Sequence, residues 1–333
     1  MTIAVFGYGY WGPNLVRNFL LAGVTVKYIV DSNEKCLEVA KSWYPSVQVT
    51  TDSELVFHDI SVDGIAIALP VSLHYEFAKR ALLAGKHVLV EKPMTNSSIS
   101  AMELMELAGK KNLTLMPDHT FLYTGAVKKI QECVEKNELG DIKYFDSTRI
   151  NLGLFQRDIS VIWDLAPHDL SILFYLIPQK PISVIATGIS HTSANIENIA
   201  YMTLFYESNF IVHINLSWIS PVKIRKILIG GTQKMIVYDD IEPTEKVKIY
   251  DSGYTIKNVE DISRMYVEYR MGNIFVPKID AIEALNGLVK DFINAAKTKS
   301  EPISNSGLGL IVIKTIEAAE RSIKTGCKED IKI

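Results

Sequence analysis

Three groups of residues in this 333-residue chain have the types and spacing for chemistry. The first is Gly7-Tyr8-Gly9-Tyr10-Trp11-Gly12, which fits G-x-G-x-x-G between an apolar run and a helical pattern. In that setting Gly7 permits a tight turn, Gly9 lets the backbone approach a pyrophosphate, and Gly12 lets helix and strand pack closely. The helix N-terminus offers amide donors and partial positive charge to phosphates, and Pro13 suits its first turn. Asp31 ends the next apolar run at the spacing of a carboxylate that meets an adenosine ribose. It would repel a 2′-phosphate, and Ser32-Asn33-Glu34 contains no arginine to reverse that, so NAD is expected over NADP. A plain turn aspartate is the other reading of Asp31. Tyr10, Trp11 and Ser32 stand at the same cofactor edge.

The second group lies where three further apolar runs end, at Leu69-Pro70 with His74 behind it, at Glu91-Lys92-Pro93, and at Pro117-Asp118-His119. Parallel sheets bind ligands beyond such strand ends. Lys92 is either a solvated lysine after a strand or a group at a site edge, and Glu91 and Pro93 on either side favour the second. The third group is Trp163-Asp164-Leu165-Ala166-Pro167-His168. Pro167 suggests a helix beginning there. Asp164 and His168, one turn apart, would share a face, and the carboxylate would orient an imidazole able to accept an alcohol proton. An N-capping aspartate beside a satisfied histidine is the alternative. No third ligand stands at suggestive spacing, so no metal is expected.

The elements that must position these groups fall into two textures. Up to about residue 120, Val/Ile-rich runs (Ile3–Phe6, Val24–Val30, Gly64–Ala68, His87–Val90, Thr114–Met116) alternate with helical patterns, which reads as buried parallel strands in βαβ units. A helix over Thr124–Lys136 leads onward. Beyond it, strands dominate. In Phe210–Trp218, Phe210, Val212, Ile214, Leu216 and Trp218 share one face and His213, Asn215 and Ser217 the other, as in an antiparallel strand with one face on a core. Helices over Ala281–Lys297 and Leu308–Lys324 close the chain. The expected fold is α/β, with a Rossmann dinucleotide-binding domain (1–120) and an α+β domain (121–333) carrying an open, mostly antiparallel sheet for substrate binding and oligomerisation.

Composition narrows the partners. Lys plus Arg is 35 and Asp plus Glu 38, a near balance that argues against nucleic-acid or membrane partners. Cys36, Cys133 and Cys327 are too few and too scattered for a disulfide framework. No membrane span or signal peptide is legible, so a cytoplasmic protein is expected.

The glycine motif, Pro70, His74 and Glu91-Lys92-Pro93 together resemble the Gfo/Idh/MocA oxidoreductases, over nearly the whole chain. The resemblance implies that Lys92 is catalytic, with a Lys–Pro peptide that is often cis, and that Glu91, His74, Leu69 and Pro70 line the cofactor pocket. It also implies that Asp164 and His168 are the family's D-x-x-x-H pair, with either His168 or Lys92 as the base. The stretches 7–19, 151–170 and 272–280 are similar to the bacterial subgroup that oxidises the 3-hydroxyl of UDP-N-acetylglucosamine or its uronate. A 3-keto product would pass to an aminotransferase making diamino sugars for lipopolysaccharide or other surface glycans. His119, Asn151, Gln156, Arg157 and Lys278 would then meet the UDP-sugar. Arg149 is as readily a structural ion pair. Glu283-Ala284-Leu285 stands where Glu-Pro-Leu is expected. A free polyol or aldose dehydrogenase of inositol type and a non-catalytic nucleotide-sensing module are the competing functions. A homodimer or homotetramer is expected.

Overall fold

The computed structural model describes residues 1–153, 159–192, 196–256 and 267–333. It divides into two compact units, one made of 1–124 and 282–314, the other of 125–281 and 315–333. The single seam expected near residue 120 does not include the return of residues 282–314 to the first unit.

In the first unit the apolar runs become β1 (Thr2–Phe6), β2 (Thr25–Val30), β3 (Gln48–Thr50), β4 (Gly64–Ile67), β5 (His87–Glu91) and β6 (Leu115–Asp118). They form one parallel sheet in the order β3-β2-β1-β4-β5-β6. Between them run α1 (Gly12–Leu21), α2 (Glu34–Trp43), α3 (Ser53–His58), α4 (Val71–Leu83) and α5 (Ser98–Lys111). β1, β4 and β5 are almost wholly buried, as strands covered on both faces must be. The order reverses between β1 and β4, so the crevice beyond their ends is the place where such sheets hold ligands.

A 3₁₀ turn, Thr120–Tyr123, ends the stretch after β6. Farther along the chain, α8 (Ala284–Thr298) and the start of α9 (Ser306–Thr325) belong to this unit. The return is held by buried polar groups. The Tyr123 hydroxyl donates to Asp291 Oδ2 (2.7 Å) and accepts from Ser304 N (3.1 Å), while Ile303 N also donates to Asp291 Oδ2 (2.8 Å). At its other end, Glu283 before α8 accepts from Arg17 (2.9 Å) and from Asn18 Nδ2 (2.9 Å), both on α1. The glutamate of the Glu283-Ala284-Leu285 departure therefore still anchors the helix entry.

The second unit opens with α6 (Gly125–Glu135) and β7 (Ile142–Leu152), followed by α7 (Val161–Leu176). Then come β8 (Ser183–Ile189), β9 (Ile199–Phe205), β10 (Ile211–Ser217), β11 (Ile219–Gly231), β12 (Met235–Asp239), β13 (Val247–Tyr250), β14 (Gly253–Ile256), β15 (Val267–Arg270), β16 (Ile274–Phe275) and β17 (Glu329–Asp330). Nine of them make a mixed sheet in the order β16-β13-β12-β11-β7-β10-β9-β8-β17, and β14 pairs with β15 apart from it. The expected inward face of Phe210–Trp218 is buried throughout. The pairing differs from expectation on one side: β10 is antiparallel to β9 but parallel to β7, because α7, β8 and β9 intervene and bring the chain back in the same direction.

The helix expected to start at Pro167 starts at Val161, with Pro167 inside it. Pro167 has no N–H to give the Trp163 carbonyl, a local cost of about 3 kcal/mol in a helix interior. Val161 and Ile162 are fully buried, and their packing carries the helix past that cost. β3 and α3 were not legible in the sequence. No helix among the described residues is long and apolar enough to cross a membrane.

Tyr123→Phe leaves the Ser304 amide without its buried acceptor and Asp291 with one donor fewer. We expect it to destabilise the protein by about 1–3 kcal/mol, measured by urea unfolding.

Candidate active site

The glycine loop follows β1. Gly7 has φ +91°, a conformation that only glycine takes freely, and a Cβ there would strike the Ala68 carbonyl. A Cβ on Gly12 would overlap the Gly7 carbonyl oxygen, so α1 sits as close to the loop as the chain permits. Among the described residues nothing lies within 4 Å of the position a Cβ would take on Gly9, and no side chain caps α1. A closely built loop, open space over its middle glycine and a helix N-terminus without a side-chain cap fit a pyrophosphate.

Asp31, just past β2, is held from two sides: Oδ2 accepts from Tyr8 N (2.6 Å) and Oδ1 from Asn33 N (2.8 Å). A carboxylate oxygen has two lone pairs, so both can still accept from ribose hydroxyls. Ser32 is exposed beside it. Tyr10 and Trp11 are exposed and stack edge to face, centroids 5.4 Å apart. The residues present therefore suit an adenine dinucleotide.

The β4, β5 and β6 ends supply the second cluster. Leu69 is half-buried and Pro70 exposed just before α4. His74, on α4 and buried, lies with Nδ1 2.9 Å from the Pro93 carbonyl and Nε2 2.8 Å from the Leu69 carbonyl. It ties the β4–α4 turn to the Lys92–Pro93 turn, whose peptide is cis. Burial lowers its pKa and the Lys92 charge adds to that, while the two carbonyl acceptors pull the other way.

Glu91 and Asp118 are register partners on β5 and β6, and both are buried. Burial pushes both carboxyls up, Glu91 well above the usual range with the Asp118 charge adding to the shift. The pair therefore retains a proton, principally on Glu91. A protonated Glu91 is the donor that Asp118 Oδ2 lacks among the described residues, since Oδ1 is taken by the Thr120 hydroxyl. Glu91 is thus engaged with Asp118, a partner that sequence reasoning missed although it stands next to His119.

His119 is buried, its Nδ1 3.0 Å from Ser304 Oγ. The Ser304 hydroxyl gives its proton to the Pro117 carbonyl (2.6 Å), so it must accept from His119 Nδ1–H. Nε2 is therefore the acceptor nitrogen. Burial, then the Lys92 charge, lowers the His119 pKa to about 3, and the ring is neutral across the working range. Lys92 itself is half-buried at the end of β5.

In the second unit, Asp164 and His168 lie on α7 one turn apart, and Asp164 Oδ2 accepts from Trp218 Nε1 (3.0 Å). Arg149 on β7 is spent on Asp169: Nε to Oδ2 is 3.0 Å and Nη2 to Oδ1 2.7 Å, with both side chains buried. Of its two expected readings the structural ion pair holds. Asn151 is half-buried near the end of β7, and Lys278 is exposed after β16. Gln156 and Arg157 lie outside the described residues. Among the described residues no group of three or more His, Cys, Asp or Glu could hold a metal.

Residues 1–119 match the model of the oxidoreductase family with NAD-binding Rossmann fold, and residues 127–237 match the GFO/IDH/MocA C-terminal domain. The chain belongs to the Gfo/Idh/MocA oxidoreductase family. Its Rossmann domain is the family's NAD-binding domain. An uncharacterized oxidoreductase of Schizosaccharomyces pombe is 34% identical over 138 residues, 39% of this chain and 37% of its own. The first curated relatives are matched over about a third of their length (37%, 32% and 29%). The UDP-N-acetylglucosamine 3-dehydrogenase of Acidithiobacillus ferrooxidans is 25% identical over 300 residues, 89% of this chain and 88% of that one. The crystal structure of GenD2 from gentamicin A biosynthesis, in complex with NAD, shares the fold at TM-score 0.84 and 20% identity, covering 100% of this chain and 97% of that one.

A neutral buried histidine makes stability pH-dependent. The unfolded chain protonates His119 below its ordinary value near 6.5 and the folded chain does so only near 3, so this contribution is complete above 6.5 and is lost as pH falls between them. We expect wild type to lose stability more steeply than His119→Asn across that window, by up to about 1.4 kcal/mol per pH unit, in urea unfolding at a series of pH values.

Proposed function

We propose that the chain is an NAD-dependent dehydrogenase that oxidises a ring hydroxyl of a sugar, and that its substrate is a UDP-N-acetylhexosamine or the corresponding uronate, oxidised at C3. The observation that carries the substrate class is the likeness to UDP-N-acetylglucosamine 3-dehydrogenase over almost the full length of both chains. The dehydrogenase reading is further supported by the glycine loop with Asp31, by Lys92 at a strand end, and by the Asp164–His168 pair.

Oxidising an alcohol removes a hydride from carbon and a proton from its oxygen. NAD, when bound, supplies the hydride acceptor. The amides at the start of α1 carry the pyrophosphate, and Asp31 receives ribose hydroxyls. His168 takes the hydroxyl proton, and Asp164 orients the imidazole and stabilises its charged form. Lys92 polarises the reacting oxygen as it becomes a carbonyl oxygen. His119, neutral and with Nε2 as acceptor, receives a hydrogen bond from a sugar hydroxyl, and Asn151, Gln156, Arg157 and Lys278 serve the rest of the nucleotide sugar. The 3-keto product is suited to transamination toward a diamino sugar for a surface glycan.

We extend the reading to a homo-oligomer. Ile185, Ile189, Tyr201 and Ile211 expose apolar surface on β8, β9 and β10, with Tyr201 stacked on His213 (centroids 6.3 Å apart). A second copy of that face would cover it.

The test is the absorbance of reduced nicotinamide with NAD or NADP and a panel of UDP-N-acetylglucosamine, its uronate, myo-inositol and glucose. We expect turnover with NAD and a UDP-sugar. Oxidation of only the free sugars would overturn the substrate class, and NAD binding without any turnover would favour a sensing module. Lys92→Ala and His168→Ala should each cut kcat by about 10²-fold or more while NAD affinity stays nearly constant. Near-normal turnover in both variants would refute the assigned roles.

A further inference from the structure

Trp218 stands between β10 and β11 and is 1% exposed. Its side chain has one polar atom, and burying an indole N–H requires an acceptor. Here the acceptor is a carboxylate, Asp164 Oδ2, at 3.0 Å. The residue is itself pinned. Trp218 N donates to the Asn198 carbonyl (2.9 Å), and its own carbonyl accepts from Gly153 N (2.8 Å). Gly153 packs against the ring: a Cβ there would come within 2.7 Å of Trp218 Cδ1 and 3.1 Å of Cγ. The donor therefore stands at a fixed point beside α7.

We propose that Trp218 is a positioning residue for the Asp164–His168 pair, its indole N–H holding the Asp164 carboxylate in one orientation on the α7 face that His168 shares. An aspartate side chain rotates about two bonds, and a carboxylate that must orient an imidazole loses its effect when it rotates away. A hydrogen bond to an ionised acceptor is stronger than one between neutral groups, so the indole N–H favours the rotamer that reaches it. The inference rests on the reading that Asp164 and His168 act on the substrate, and it adds Trp218, a buried residue that acts through Asp164.

The test combines kinetics with a spectroscopic readout. Wild type, Trp218→Phe, Asp164→Ala and the double variant are assayed with NAD and UDP-N-acetylglucosamine, or with whichever panel sugar is turned over. We expect Trp218→Phe to lower kcat about 10- to 100-fold, with KM and NAD affinity within about twofold. In the Asp164→Ala background the same change should alter kcat less than about twofold, because a residue acting through Asp164 has nothing left to act on. Equal losses in both backgrounds would mean a merely structural role and would overturn the proposal, as would no loss in wild type. If Asp164→Ala alone keeps full activity, the parent reading fails instead.

Benzothienylalanine at position 218 keeps the ring shape without the N–H, and it should reproduce the Phe result even if Phe disturbs folding. The chain has four tryptophans, so its ¹H–¹⁵N spectrum has four indole signals to assign. Asp164→Asn should shift the Trp218 signal most, and an unmoved signal would refute the bond in solution.

Discussion

The first unit depends on one buried hydroxyl. Ser304 has a single proton, and the Pro117 carbonyl takes it, so His119 can only donate to the same oxygen. That fixes the histidine tautomer, holds the end of β6 and settles the path of the chain between α8 and α9. Its neighbours are buried polar groups too. His74 sits between two carbonyls and, when neutral, gives its one proton to either of them, and Glu91 and Asp118 share a proton because burial opposes two adjacent charges. The strand ends from which Lys92 projects are thus tied to their surroundings by buried polar contacts.

The second unit meets the same problem with ion pairing. Arg149 and Asp169 are both buried, and each satisfies the other with two parallel hydrogen bonds between β7 and α7. Five residues earlier on α7, Asp164 accepts a hydrogen bond from an indole N–H. A neutral donor of that kind directs a carboxylate without cancelling its charge. The two aspartates, five residues apart on one helix, carry different partners for different purposes.

Much of this was legible in sequence. The glycine loop, Asp31 and the strand-end residues stand out because βαβ units join local patterns, a buried apolar run, a turn and a helix, whose order fixes where ligands lie. Helical spacing put Asp164 and His168 one turn apart, as α7 carries them, but their chemical role was suggested by the family resemblance and not by the spacing. What escaped was non-local. Pro167 gives a local signal for a helix start, yet the burial of Val161 and Ile162 decides where α7 begins. Gln48–Thr50 is a three-residue edge strand with little apolar content. Ser304 lies in a polar stretch without periodicity, and only the need of a buried histidine for a partner gives it meaning. Trp218 closes an alternating run and looks like core, which it is, but its nitrogen has a second employment.

The chain crosses between its units three times, after residues 124, 281 and 314, and the last crossing falls within α9. Neither unit is therefore a contiguous stretch of gene. A fragment cut near residue 120 would lack Tyr123, Asp291 and Ser304, and with them the lock on β6. Exchanging either unit between relatives by recombination would need compatible splices at all three junctions. Change in such a lineage is thus expected to come by point substitution more readily than by shuffling whole modules.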